Sequence, residues 1–285
     1  MKVILWFQSP QLPLIDAAIC IVGQIYGKLD FVGLYSSLDM NLGKGMTLDN
    51  RPVPFLDEKE IAAIDCDIII VGGVDVKMSE VLKEAARLGL DEDKVVLDRT
   101  VCVPGFTLEN YRQLRHSNLS ILSRYCWGGL IYNLFGLPML SPTVNLYFDD
   151  DDFIRFLSAP KQYLELKPKF FKTGWDPRLK REYPIMQLGD IKIHMNHSTP
   201  NKLDRACEKW NERLGRINWS NLLACTCTEK PENLIEFDRL PIAKKACFVP
   251  FETTLASGYR IPSKFVHGRE LWEPLNEIAV NKIQC

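Results

Sequence analysis

Short runs of β-branched and aromatic residues alternate with amphipathic stretches through the first third of the chain. Residues 2–7 (KVILWF), 30–36 (DFVGLYS), 67–72 (DIIIVG) and 94–98 (KVVLD) read as buried strands. Between the last two, residues 78–89 predict a helix: Met78, Val81, Leu82, Ala85 and Leu88 recur at three- and four-residue steps, and Gly89 ends it. Strands alternating with helices predict βαβ crossovers and a parallel sheet.

The pattern changes near residue 117. LSILS (119–123) reads as a buried strand leading to Cys126-Trp127-Gly128-Gly129, with the helix-like run LIYNLFGL after it. VNLYF (144–148) reads as another strand, and the acidic run Asp149–Asp152 as the start of a helix, because an aspartate caps free amides and acids in the first turn suit the macrodipole. PIMQLGDIKIHM (184–195) predicts a β-hairpin turning at Gly189-Asp190. Strict alternation on its second arm puts Ile191, Ile193 and Met195 on one face and Lys192, His194 and Asn196 on the other, so His194 is expected to point away from the apolar side. Thr199 and Pro200 open a helix to about Leu214. The expected fold class is α/β, with an N-terminal Rossmann-like parallel sheet over residues 1–116 and a second α/β domain over 117–285.

A Rossmann-like sheet normally holds phosphate at its first strand–helix turn, where glycines let the backbone approach. Here that turn is Gln8-Ser9-Pro10-Gln11-Leu12-Pro13, without glycine and with two prolines that lack amide donors. The loop is therefore expected not to bind NAD, and no cofactor is implied. Gly72-Gly73 after the third strand is expected to be a tight turn.

The 285 residues carry a net charge of −1, with 46% hydrophobic and 25% charged residues, as in an ordinary globular protein. Up to position 117 there are 12 basic and 17 acidic residues, leaving −5; beyond it 23 basic and 19 acidic residues leave +4. That excess suits a small anionic ligand and is too weak for nucleic acid. No stretch is long and apolar enough to span a membrane. Gln8, Ser9, Pro10, Gln11 and Asp16 interrupt the apolar N-terminus and no small-residue cleavage site follows, so a cytoplasmic protein is expected. The nine cysteines are an odd number, scattered, and imply no disulfide framework. A homo-oligomer is compatible with everything above.

Candidate chemistry concentrates in the second half. Glycines between a strand and a helix can leave Gly128 and Gly129 amides facing an oxyanion, although a close-packed turn explains them as well. Two of the four histidines, His194 and His197, fall together and could move a proton; with no third ligand nearby, metal is not expected. Arg205, Lys209, Arg213 and Arg216 recur at steps of four, four and three, a stripe that could grip a phosphate or simply be a solvated face. Cys126 at a helix start could be an activated thiol, but Trp127 beside it could bury and silence it.

Residues 118–270 resemble a bacterial family usually labelled exopolysaccharide biosynthesis protein, a domain of unknown function. The resemblance is carried by YCWGGLIY, LPMLSPTVNLY, DFIRFL, YPIMQLGDIKIHMNH, the Trp210 and Glu212-Arg213 of KWNERLGRIN, NLL and FDRLP, in that order. It departs at Arg124-Tyr125, where the family pattern has two asparagines. Residues 1–115 resemble the small Rossmann-like domains of enzymes that make bacterial surface sugars. The resemblance implies a role in making or modifying surface polysaccharide and supplies no reaction. The leading reading is a transferase acting on a sugar or sugar nucleotide, by acyl, phosphoryl or glycosyl transfer, with His194, His197 and Cys126 as catalytic candidates. Trp127, Gly128, Gly129, Ser141, Asn145, Trp210, Arg213 and Arg216 are the substrate-binding candidates of that reading, the tryptophans by stacking on a sugar. The histidines are expected to carry the chemistry and Cys126 to line the site. A non-catalytic binding or scaffold protein of the same pathway is the alternative.

Overall fold

Two separate parallel sheets organise the chain. The computed structural model describes residues 1–8, 13–37, 45–73, 75–103, 105–177 and 179–261. Among these, one unit comprises Met1–Arg115 with Asn133–Leu137, and the other His116–Tyr132 with residues 138–261.

In the first unit β1 (Lys2–Phe7), α1 (Pro13–Tyr26) and β2 (Asp30–Ser36) are followed by the hairpin β3 (Gly45–Leu48) and β4 (Arg51–Pro54). Asp49 and Asn50, both at positive φ, make the hairpin's turn, as a two-residue connection that matches strand twist requires. Then come α2 (Glu58–Ala63), β5 (Ile68–Gly72), α3 (Met78–Arg87), β6 (Val95–Leu97), α4 (Asp98–Val101) and α5 (Leu108–His116). The four long-range strands pair in parallel in the order β2-β1-β5-β6. The order reverses between β1 and β5, the hallmark of a doubly wound, Rossmann-like sheet. Gly72 is there for packing: a Cβ on it would stand 2.4 Å from Ile15 of α1. The segment 133–137 belongs with this unit because Thr100 Oγ1 donates to Leu134 O (2.6 Å) and Tyr111 OH to Phe135 O (3.2 Å). Residues 9–12, most of the loop expected not to bind NAD, lie outside the described residues.

The second unit runs β7 (Ser120–Ser123), α6 (Trp127–Leu134), α7 (Asp150–Ser158), α8 (Pro160–Leu164), β8 (Lys169–Asp176), β9 (Arg181–Leu188) and β10 (Ile191–His194). A 3₁₀ turn at Pro200–Lys202 leads into α9 (Leu203–Leu214), β11 (Leu222–Cys227), α10 (Pro231–Arg239), β12 (Lys244–Val249) and β13 (Gly258–Arg260). A parallel sheet in the order β13-β12-β11-β7 carries the unit, beside an antiparallel sheet β10-β9-β8. The fold class is thus α/β throughout. Phe148, Phe153, Phe156, Leu188, Ile193, Trp210 and Phe237 fill a core shared by both sheets and α7, α9 and α10.

The hairpin of β9 and β10 turns at Gly189-Asp190, pairing Leu188 with Ile191, with Gly189 at φ 63°. VNLYF is not a strand. Residues 142–145 form a turn with Asn145 at φ 60°, and only Tyr147 bridges to His194. The apolar residues that suggested a strand instead plug the core, with Phe148 stacked on Phe156 at 5.2 Å. The acidic run opens α7, but Asp149 makes no side-chain cap. Asp152 instead accepts from Lys192 N (2.9 Å) and pairs with Arg155 (3.0 Å), and Asp150 pairs with Arg124. Thr199 likewise does not cap by its side chain.

Arg124 is a structural residue, buried at the end of β7. Its Nε donates to Phe148 O and its Nη1 to Cys227 O, both at 3.0 Å. Arg124→Met strands two buried carbonyls, so it should cost about 2–4 kcal/mol in urea unfolding. Arg155→Met, which removes a half-exposed guanidinium from buried Asp152 and exposed Asp190, should cost less, about 1 kcal/mol.

Candidate active site

Cys126 is placed by the carboxyl end of β7. Ser123 Oγ donates to Tyr125 O (2.7 Å), which curls the chain, and Leu130 N bonds Cys126 O (3.0 Å) to start α6. His197 comes from the turn after β10, where Met195 N bonds Pro184 O and Ser198 N bonds Met195 O. These two turns bring Cys126 Sγ to 3.1 Å from His197 Nε2. A half-buried thiol at a helix N-terminus, touching an imidazole, has the two features that favour a thiolate.

The adjacent glycines are needed for packing and also leave donors. A Cβ on Gly128 would meet Ser123 and Ile121 at 3.1 and 3.2 Å; one on Gly129 would meet Asn145 Oδ1 at 2.7 Å and Val144 at 3.1 Å. Both lie in the first turn of α6, where amides have no intrahelical acceptor. Asn145, in its left-handed turn, is thereby held against the start of α6.

Beside His197 opens a cleft of about 570 Å³, lined by Asn145, Lys202, Arg205, Lys209, Trp210 and Arg213 among others. Four cations and no carboxylate among the described residues line it, so it favours an anion. Arg213 is fixed there by a bond from Nη1 to Val144 O (3.2 Å); burial, and then Arg216, draw its pKa below the usual arginine value. A second cleft of about 520 Å³, lined by Trp219, Leu222 and Lys244, lies where β11 and β12 begin. Ligands of parallel sheets bind at the carboxyl ends of strands, which favours the first.

Several sequence candidates have other roles. Ser141 is fully buried, its Oγ 3.1 Å from Thr143 Oγ1 and accepting from Thr143 N; it braces the turn and faces no substrate. Trp127 is buried against Phe248, ring centroids 5.6 Å apart, and cannot stack on a sugar. Trp210 is buried in the core, so its ring is not a platform either. Its indole Nε1 is buried and has no acceptor among the described residues, while the residue as a whole forms part of the cleft wall. Arg216 pairs with Glu212 (3.6 Å) and does not line the cleft.

His194 lies on the face that alternation gave it, opposite Ile191, Ile193 and Met195, but that face is covered. It is buried, exchanging backbone hydrogen bonds with Tyr147 (2.9 and 3.1 Å) while the two rings stack at 4.0 Å. Its Nδ1 lies 3.2 Å from Tyr183 OH, which in turn is 2.8 Å from Tyr147 OH. Nε2 is 3.5 Å from Asp149 Oδ2, within ion-pair reach but not aligned as a hydrogen bond. The polar face of the hairpin is thus covered by a segment forty residues earlier in the chain. Tyr147, Tyr183 and Asp149 were absent from the sequence candidates, because nothing local marks tyrosines as histidine partners.

Two measurements check this geometry. Glycine to alanine inside a helix ordinarily adds up to about 1 kcal/mol. Gly129→Ala should instead lose about 1 kcal/mol or more in urea unfolding, because Asn145 and Val144 must move. Burial pushes the His194 pKa below its ordinary value, with Asp149 partly opposing. Its contribution to stability is therefore complete above the unfolded pKa of about 6.5 and declines as pH falls toward the folded value, since the unfolded chain takes up the proton first. The melting temperature should fall more steeply from pH 7 to 5 in the wild type than in His194→Gln.

Comparison with known proteins adds a family and little else. An uncharacterized protein of Haemophilus influenzae is 32% identical over 142 residues, which cover 48% of this chain. The match spans 64% of that relative, a little under two thirds of its length. A crystal structure of a dehydrogenase (MviM) from Clostridium difficile is 10% identical and covers 67% of each chain at a TM-score of 0.27, too slight a likeness to carry an argument. Residues 98–281 match a domain of unknown function, DUF1919, which takes in the whole Cys126–His197 site, and the chain belongs to that family.

Proposed function

We propose that this protein is an acyltransferase modifying a sugar or sugar nucleotide of surface-polysaccharide biosynthesis, with Cys126 as nucleophile and His197 as its base. The observation that carries the reading is the 3.1 Å contact between Cys126 Sγ and His197 Nε2. It moves the thiol from a lining role to the reacting one, and His197 rather than His194 into partnership with it. The polysaccharide context rests on the family resemblance described above.

In the first half-reaction His197 Nε2 takes the thiol proton and Sγ attacks the acyl carbonyl carbon. The bond from that carbon to the donor's leaving group breaks, and the imidazolium returns the proton to the leaving group. In the second half, a sugar hydroxyl attacks the thioester and gives its proton to His197. The C–S bond breaks and Cys126 leaves as thiolate, which takes the proton back. In this reading the first-turn amides of α6 supply the donors for the developing oxyanion. Arg213, Lys202, Arg205 and Lys209 suit a phosphate-bearing donor or acceptor.

Thiol reactivity tests this directly. Cys227 is buried and pushed up to about 12, and burial pushes Cys247 higher still, so neither should react at pH 7. Iodoacetamide should label Cys126 faster than the exposed Cys20, and His197→Ala should bring Cys126 down to the rate of Cys20. Cys126→Ser and His197→Ala should each abolish transfer from an acyl donor. Equal labelling of Cys126 and Cys20 in the wild type would return the protein to a non-catalytic binding role.

A further inference from the structure

We propose that the β8 edge of the second unit docks on an anionic membrane surface. This is independent of the reaction above, because β8 contributes nothing to the cleft. Five of the nine large apolar side chains exposed among the described residues fall between positions 166 and 179: Trp175 (60% exposed), Leu179 (52%), Phe170 (51%), Phe171 (47%) and Leu166 (42%). Scattered exposed apolar residues are ordinary, but a cluster of three on one strand and two on its flanks marks an interaction surface. β8 is the last strand of its sheet, and nearly its whole length is exposed.

The companions of these side chains identify the partner. Exposed Lys167, Lys169, Lys172 and Lys180 are interleaved with them, and Arg181 follows. Lys172 and Lys192 hold their ammonium groups 5.7 and 5.2 Å from the Phe171 ring. Of the nearby acids, Asp176 is buried and accepts from Leu179 N (3.1 Å), which fixes the hairpin turn and removes its charge from the surface. Glu165, Glu182 and Asp190 remain exposed, the last paired with Arg155, and are outnumbered by the cations. Tryptophan and phenylalanine set among lysines match the boundary between lipid headgroups and acyl chains, where rings enter and ammonium groups meet phosphate. Pairing with β8 of a second copy is disfavoured, because lysines on both strands would face each other.

Vesicle sedimentation tests the proposal. The wild type should sediment with vesicles of phosphatidylcholine and phosphatidylglycerol, not with phosphatidylcholine alone, and rising salt should release it. Combined Phe170→Ser, Trp175→Ser and Leu179→Ser should weaken association at least about tenfold. Lys169→Glu with Lys172→Glu should do the same and remove the salt dependence. All five positions are exposed, and an unchanged urea midpoint verifies that the variants fold. Absence of wild-type association, or equal association by the variants, overturns the proposal. So does a concentration-dependent dimer, or retention of an oligonucleotide, that the substitutions abolish while no vesicle binding is seen.

Discussion

The geometry of the second unit depends on one buried guanidinium. Arg124 follows β7 directly, and its donors reach backbone carbonyls of two remote segments, Phe148 and Cys227, with Asp150 taking part of its charge. Backbone bonds run alongside: Arg124 N donates to Cys225 O and Phe148 N to Arg124 O. The carboxyl ends of β7 and β11 and the entry to α7 are thereby tied at one point. Cys126 lies two residues further on, so its position follows from this knot. A charge taken out of water requires such a set of partners, and a planar fork with several donors is the side chain that can serve three acceptors at once.

Periodicity could reach the elements whose partners are local. The hairpin at 184–195 was legible because alternation and a Gly-Asp turn specify both arms within twelve residues. The parallel strands of the first unit were legible because buried runs of Val and Ile need no alternation. His194 shows where that logic stops. Alternation assigned its face correctly as the one opposite Ile193, but carries no information on what covers that face. The bridge from Tyr147 adds a cover that only tertiary structure supplies. VNLYF failed for the related reason that apolar residues in a short turn, with Asn145 left-handed, look like a strand when their neighbours are unknown.

The glycine pair raised two readings that structure does not force apart. Gly129 leaves room for Asn145, and Gly128 for the end of β7. The same absence of a side chain keeps the first turn of α6 open beside Cys126. Close packing alone accounts for both glycines, and the proposed reaction adds a use for the amides they carry. Serine at 141 and tryptophan at 127 carried no such double role. Their polar or aromatic character is used inward, in a turn brace and a core contact, and sequence alone offered no sign of direction.

The positive balance of the second half is sorted by face, which a running count of charge cannot see. Along α9 and the turn before it, Lys202, Arg205, Lys209 and Arg213 line the cleft. Asp204, Glu208 and Glu212 recur at four-residue steps on a neighbouring stripe, beside Arg205 and Lys209 but outside that cleft. The helix is therefore nearly neutral in sum yet polar across its axis. Within a Debye length of about 8 Å the acids still soften the field, so the cations nearest them are the weaker grips. Arg213 is the exception. It is half buried, held by Val144 O, and the acid on its own turn, Glu212, is 3.6 Å from Arg216. Arg216, outside the cleft, therefore occupies a carboxylate that could otherwise draw Arg213 away from it.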